Sequence, residues 1–164
     1  MRLTTKGQYA VAAMLDLTSC QDKGPVTLAA ISERQYISLS YLEQLFRRLR
    51  ESGLVRSIRG PGGGYLLKRP AKEIFISEVI TAVDEPIRTT LCIEGMRGCR
   101  NGSRCAAHGL WTSLGHHIYR FLDVVSLEDV HLNRVDIRDV ELAPVDNYCA
   151  TNSEEVDNRI AAVS

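Results

Sequence analysis

Apolar residues recur three and four positions apart through most of the first half of this chain. Tyr9, Ala10, Ala13, Met14 and Leu17 form one such stripe, which predicts a helix from Thr4 to about Leu17 with one face toward a core. Gly24-Pro25 interrupts the pattern. Thr27 can then cap a short helix running to about Arg34, with Leu28 and Ile31 turned inward. Gln35-Tyr36-Ile37 reads as a tight turn. Ser38 or Ser40 starts the next helix, since Ser40-x-x-Glu43 has the form of a capping box. Leu42, Leu45, Phe46 and Leu49 supply its inward stripe, and the opposite side presents Ser40, Tyr41, Glu43, Gln44, Arg47 and Arg48.

Gly53 ends that helix. Residues 54–58 and 65–67 then read as two short strands around Arg59-Gly60-Pro61-Gly62-Gly63-Gly64. Helix, helix–turn–helix and glycine-rich hairpin, in that order, make a winged helix-turn-helix domain over 1–69. Beyond Pro70 a short helix is expected from about Ser77 to Val83, then a loop rich in glycine and cysteine. From about Cys105 to Val125 the residues Leu110, Trp111, Leu114, Ile118, Phe121, Leu122 and Val125 mark a long amphipathic helix suited to pairing with another chain. Ser126-x-x-Asp129 can cap one more short helix. The expected architecture is therefore mainly α with a small two-stranded β wing. The cluster of cysteines and a dimerisation helix occupy 70–135, and 136–164 forms a polar, disordered tail.

Composition sharpens this picture in two places. The chain of 164 residues has no secretory leader pattern and no run of eighteen apolar residues, so a cytoplasmic location is expected and membrane insertion is not. In that reducing setting its five cysteines are better suited to metal binding or redox chemistry than to disulfides. The net charge is zero but polarised. Residues 1–69 carry eleven Lys/Arg against five Asp/Glu, and 70–164 carry nine against fifteen. A basic first half fits a nucleic-acid partner.

A helix lying in the major groove reads base edges with short polar and amide side chains near its N-terminus. Ser38, Ser40, Tyr41 and Gln44 are placed for that, Arg47 and Arg48 can reach phosphates, and Gln44 can pair with adenine. Glu43 can accept from cytosine or exclude wrong sequences by repulsion. Arg59, beside a turn that permits close backbone approach, suits the minor groove. A solvated polar face is the plainer explanation of each residue alone; their order is what favours DNA. A phosphate cradle at Gly60–Gly64 is disfavoured because no Gly-Lys-Ser/Thr follows.

Cys92, Cys99, Cys105 and His108 fall within seventeen residues, separated by six, five and two residues. The wide, glycine-containing gaps favour a thiolate-held iron–sulfur cluster over a single zinc ion, with reduced, unliganded thiols also open. If the long helix starts at Cys105, His108 lies one turn along the same face. His116 and His117 are competing ligands, more naturally polar positions on the helix. Cys20 and Cys149 are not assigned to the metal.

These residues together resemble the IscR family of bacterial iron–sulfur cluster regulators, within a superfamily of winged-helix repressors. The carrying segments are Met1-Arg2-Leu3-Thr4-Thr5-Lys6-Gly7 with Tyr9-Ala10-Val11, then Ile31–Gln35, Ile37–Phe46, Arg59–Leu67, and the three cysteines with the histidine. The similarity extends from residue 1 to about 130. It implies a homodimer on palindromic double-stranded operators, with one 2Fe–2S cluster per subunit on Cys92, Cys99, Cys105 and His108. It implies repression of cluster-assembly genes by the clustered form, activation or repression elsewhere without it, and cluster-assembly proteins as donors. In the family, positions matching Ser38, Ser40, Tyr41, Gln44 and Arg59 contact DNA, and Glu43 matches the position that discriminates between operator classes. Six residues separate Cys92 from Cys99 where the family commonly has five, an insertion that glycines can absorb. Rival readings are a winged-helix repressor with structural zinc or a nitric oxide or redox signal, and an iron–sulfur electron or cluster carrier. An enzyme is the least expected, because no nucleophile–base pairing stands out.

Overall fold

The computed structural model describes residues 5–83 and 106–135. Helix α1 (Thr5–Cys20) runs three residues beyond the expected end at Leu17, and Ala10, Ala13, Met14 and Leu17 are fully buried along it. Tyr9 departs from the expected stripe: it is 38% exposed and lies at the stripe's edge. Thr27 caps α2 (Leu28–Gln35), its hydroxyl oxygen accepting from the Ala30 N–H at 3.2 Å. Helix α3 (Leu39–Glu51) follows after a three-residue turn and buries Leu42, Leu45, Phe46 and Leu49.

The N-cap of α3 is Ser38, not Ser40. The backbone amides of Tyr41 and Leu42 already bond to the Ser38 carbonyl at 3.1 and 3.0 Å, which places Ser40 inside the first turn. The expected capping box with Glu43 therefore does not form. The other end of the helix follows the glycine signal. Gly53 adopts φ +74°, its N–H bonds to Arg50, and the Leu54 N–H reaches back to the Leu49 carbonyl at 2.9 Å. That closes the helix with its orphan carbonyls satisfied and tucks Leu54 into the core.

Strands β1 (Val55–Ile58) and β2 (Gly64–Leu67) pair antiparallel, Val55 opposite Leu67 and Ile58 opposite Gly64. Pro61 and Gly62 occupy the two central positions of the connecting turn, with Gly62 at φ +74° and Gly63 N–H bonded to Gly60 O at 2.9 Å. That is the turn in which proline presets the first corner and only glycine easily takes the second. Val26 adds a single-residue third strand through two backbone bonds to Tyr65, 3.0 and 2.8 Å. Pairing is so close there that a Cβ on Gly64 would lie 2.5 Å from the Val26 carbonyl oxygen.

Helix α4 (Ile76–Ala82) starts one residue earlier than expected. Helix α5 (His108–Val124) starts at His108 and not at Cys105. Its 17 residues span about 25 Å at 1.5 Å per residue. Helix α6 (Leu127–His131) is capped by Ser126 and Asp129 acting reciprocally, as their spacing predicts. Those bonds to Ser126 also hold the Asp129 carboxyl below the usual range. The segments leading into α4 and α6 join through Ile76 N–H to Val125 O and Leu127 N–H to Ile74 O, both 2.9 Å. One core results, in which α1 packs against α2, α3, α4 and α6, and Ile74, Val79, Ile80 and Leu127 join the side chains of α1 and α3. The core thus runs across residue 69. The 136–164 tail lies outside the described residues, as do Cys92, Cys99 and Cys105.

Candidate nucleic-acid interface and the metal-ligand helix

Ser38, Ser40, Glu43, Gln44 and Arg47 are all exposed on the outer side of α3, and Arg59 is exposed where the wing leaves β1. Arg47 Nε donates to Glu51 Oε1 at 3.0 Å within the helix, an exposed pair that exchanges readily for a phosphate. Tyr41 differs from the expected solvent-facing position. It is half-buried, its ring edge-on to that of Tyr9 with centroids 5.9 Å apart at 85°. The aromatic pair links the beginning of α1 to the first turn of α3. Phe46 and Tyr65, 4.8 Å apart, similarly tie the middle of α3 to the wing. Recognition helix and wing are thereby braced on one scaffold.

A polar cluster that the periodicity does not reveal sets the angle between α1 and the helix–turn–helix. Arg34 donates to both oxygens of Asp16, from Nε at 2.9 Å and from a terminal nitrogen at 2.6 Å, and Gln35 donates to the same carboxylate at 2.9 Å. Burial pushes the Asp16 carboxyl up, but the hydrogen bonds from Arg34 and Gln35 and the guanidinium charge outweigh it and leave it below the ordinary value. The available signal was a carboxylate flanked in the helical stripe by Ala13 and Leu17. A charge there requires a partner, and Arg34-Gln35 is the polar pair closing the next helix.

Of the four expected metal ligands only His108 is among the described residues; it is half-buried and is the first residue of α5. The one-turn relation expected for Cys105 and His108 required a helix starting at Cys105, and that condition is not met: Ala106 and Ala107 form a turn and the helix begins at His108. His116 and His117 lie on the same helix, about 12 Å or more beyond His108 along its axis, too far to share its metal ion. Burial, and then the neighbouring His117, lower the basicity of His116. Helix α5 is anchored near its C-terminal end, where Phe121 and Leu122 pack against the core and Ser77 donates to Asp123 at 2.8 Å. Its other half presents Leu110 at 64% exposure with Trp111 and Leu114 at 40% each.

A polar recognition helix, a hairpin wing and a shared helical core define a helix-turn-helix transcriptional regulator rather than an enzyme. The chain belongs to the Rrf2 family, described as an iron-dependent transcriptional regulator, which it matches over residues 3–133. The HTH-type transcriptional regulator IscR of Xenorhabdus nematophila is 57% identical over 141 residues, covering 85% of this chain and 85% of that protein. Among solved structures, CymR (YrzC), the global cysteine regulator of B. subtilis, superposes with a TM-score of 0.70 at 32% identity, over 81% of this chain and 98% of that one. T. potens IscR gives 0.66 at 34% identity, over 85% and 91%.

Proposed function

We propose that this regulator acts as a cytoplasmic homodimer whose choice of palindromic operator is governed by a 2Fe–2S cluster, one per subunit. Likeness to the IscR proteins implies an iron–sulfur cluster, and the donor set fits one: three thiolates and an imidazole on either side of glycine-rich chain. Cys92, Cys99, Cys105 and His108 would hold it. When bound, the cluster supplies a tie between the cysteine loop and α5 that depends on iron and on oxidants. The clustered form represses cluster-assembly genes, and the cluster-free form acts at other promoters, activating some. Cluster-assembly proteins are the donors.

The observation that carries this reading is the joint layout of α3 and α5. On α3, Ser38, Ser40, Tyr41, Gln44, Glu43 and Arg47 read or border the major groove, with Arg59 of the wing entering the minor groove. On α5, His108 opens a helix whose first half leaves apolar side chains uncovered on the single chain. A second copy covers that face, and pairing α5 sets the recognition helices about 34 Å apart, one turn of DNA. Holding the cluster through Cys92, Cys99, Cys105 and His108 would seat α5 and raise the fraction of dimers with the correct spacing. Residues 1–69 form the DNA-reading part and 70–135 the sensing and pairing part, resting on a common core. No helix among the described residues is long and apolar enough to cross a membrane.

Anaerobic purification followed by operator titration tests the proposal. A red-brown protein whose operator affinity falls as its visible absorption is bleached supports it, and Cys92→Ala should lose both the colour and that dependence. A colourless, zinc-containing protein that binds equally tightly would replace the sensor by a zinc-stabilised repressor. Colour without any sequence-selective DNA binding would point to a cluster carrier.

A further inference from the structure

Among the described residues, two that are not glycine hold a positive φ: Asn133 at 53° and Tyr36 at 55°. Asparagine accepts that region readily, whereas a bulky aromatic does so at a cost that glycine would avoid. The left-handed conformation ends α2, for which Tyr36 is the C-cap, but the aromatic side chain gains no packing there: the residue is 94% exposed and meets no partner among the described residues. The turn nevertheless holds it firmly. Gln35 on one side bonds to Asp16, and Ile37 on the other is buried and accepts from the Ser32 hydroxyl at 2.6 Å. Glycine would fill this cap at lower cost, so an aromatic held there by both neighbours and bare toward solvent is placed to meet a partner outside the chain.

The position of Tyr36 identifies that partner. It stands two residues before Ser38, the N-cap of α3, at the rim of the exposed N-terminal face that also includes Leu39 and Ser40. When the N-terminus of such a helix enters the major groove, the rim residues meet the groove wall, which is sugar and phosphate. We propose that Tyr36 is a DNA-backbone contact, its phenol O–H donating to a phosphate oxygen bordering each half-site. The proposal rests on the DNA-binding reading of α3 and adds a contact outside the set Ser38, Ser40, Tyr41, Glu43, Gln44, Arg47 and Arg59.

The test uses the full-length protein, an operator recovered by selection from random duplexes, and the variants Tyr36→Phe and Tyr36→Gly. Tyr36→Phe, which removes only the hydroxyl, should weaken binding roughly tenfold, as expected for one hydrogen bond to a charged group. Tyr36→Gly should weaken it at least as much while raising the melting temperature, because the strained φ is relieved. Opposite changes in stability and affinity separate this role from a merely structural one. The loss should be equal on the selected operator and on single-base variants of it. It should also leave the salt slope unchanged, since a phenol displaces no counterion. Wild-type affinity in Tyr36→Phe, parallel loss of stability and affinity in Tyr36→Gly, or a loss confined to one base pair would each overturn the assignment. If the wild-type protein selects no sequence at all, the DNA-binding reading itself fails.

Discussion

Breaking the Asp16–Arg34–Gln35 cluster from its two ends should have unequal consequences. The Asp16 side chain is 4% exposed and that of Arg34 is 43% exposed. Asp16→Ala removes three hydrogen bonds but leaves behind a guanidinium that water already reaches. The usual penalty of about 3–5 kcal/mol for orphaning a buried ionic partner therefore shrinks to about 2–3 kcal/mol. Arg34→Ala leaves a buried carboxylate with only Gln35 to answer it, and the full penalty of about 3–5 kcal/mol applies. The second variant also carries a pH signature. Without Arg34, burial dominates and the Asp16 carboxyl moves above its ordinary value, so protonation at mildly acidic pH should recover part of the loss. In the wild type the sign is opposite: the folded carboxyl lies below its unfolded value of about 3.9. Its contribution is complete above that value and is lost as pH falls through the depressed folded one. Urea unfolding of the wild type and both variants at pH 7 and pH 5, with unchanged denaturant slopes, measures the two costs and the recovery in Arg34→Ala, and the wild type at about pH 3, below the unfolded carboxyl value, shows the opposite sign. Costs below about 0.5 kcal/mol, or Asp16→Ala proving costlier than Arg34→Ala at pH 7, would refute the clamp.

Three further outcomes are expected. Gly64→Ala forces a methyl group against the Val26 backbone, with 2.5 Å to its oxygen and 2.6 Å to its carbonyl carbon, and neither can swing aside. It should cost about 1–3 kcal/mol in chemical denaturation, whereas Gly24→Ala meets no such obstruction and suffers only from its φ of +99°. Arg59→Ala should weaken operator binding by about 1–3 kcal/mol and reduce the salt slope by about 1 in titrations at several ionic strengths, with the visible spectrum intact. Leu114→Glu places a charge on the uncovered face of α5. Sedimentation should show the proposed dimer dissociating while the circular dichroism of the monomer stays helical.

Much of this protein is decided locally. The periodic stripes place α1, α2 and α3 within a few residues of their observed positions, because each helix must bury one face and polar residues mark the other. Thr27, Gly53 and Ser126 mark helix ends through chemistry that operates over three or four residues, so they could be read without any partner in space. Pro61-Gly62 specified the wing turn in the same way, and the polar outer face of α3 with Arg59 was legible from residue type and order.

What remained hidden depends on chain segments that meet only after folding. Ser40 and Glu43 satisfy the capping pattern, yet the amides of Tyr41 and Leu42 bond to the Ser38 carbonyl, so the helix is already under way at Ser40 and Ser38 is the cap. Tyr9 and Tyr41 belong to different helices and acquire their shared place at the rim only through the crossing of α1 and α3. Asp16 finds Arg34 eighteen residues away, Ser77 finds Asp123 across forty-six, and Val26 finds Tyr65 as a strand partner. Periodicity carries no information about such pairs, because it describes which side of an element is buried and not what that side meets. Tyr36 shows the division most clearly: its turn was legible from the sequence, but its left-handed backbone and bare side chain are set by the anchoring of Gln35 and Ile37 in the folded core.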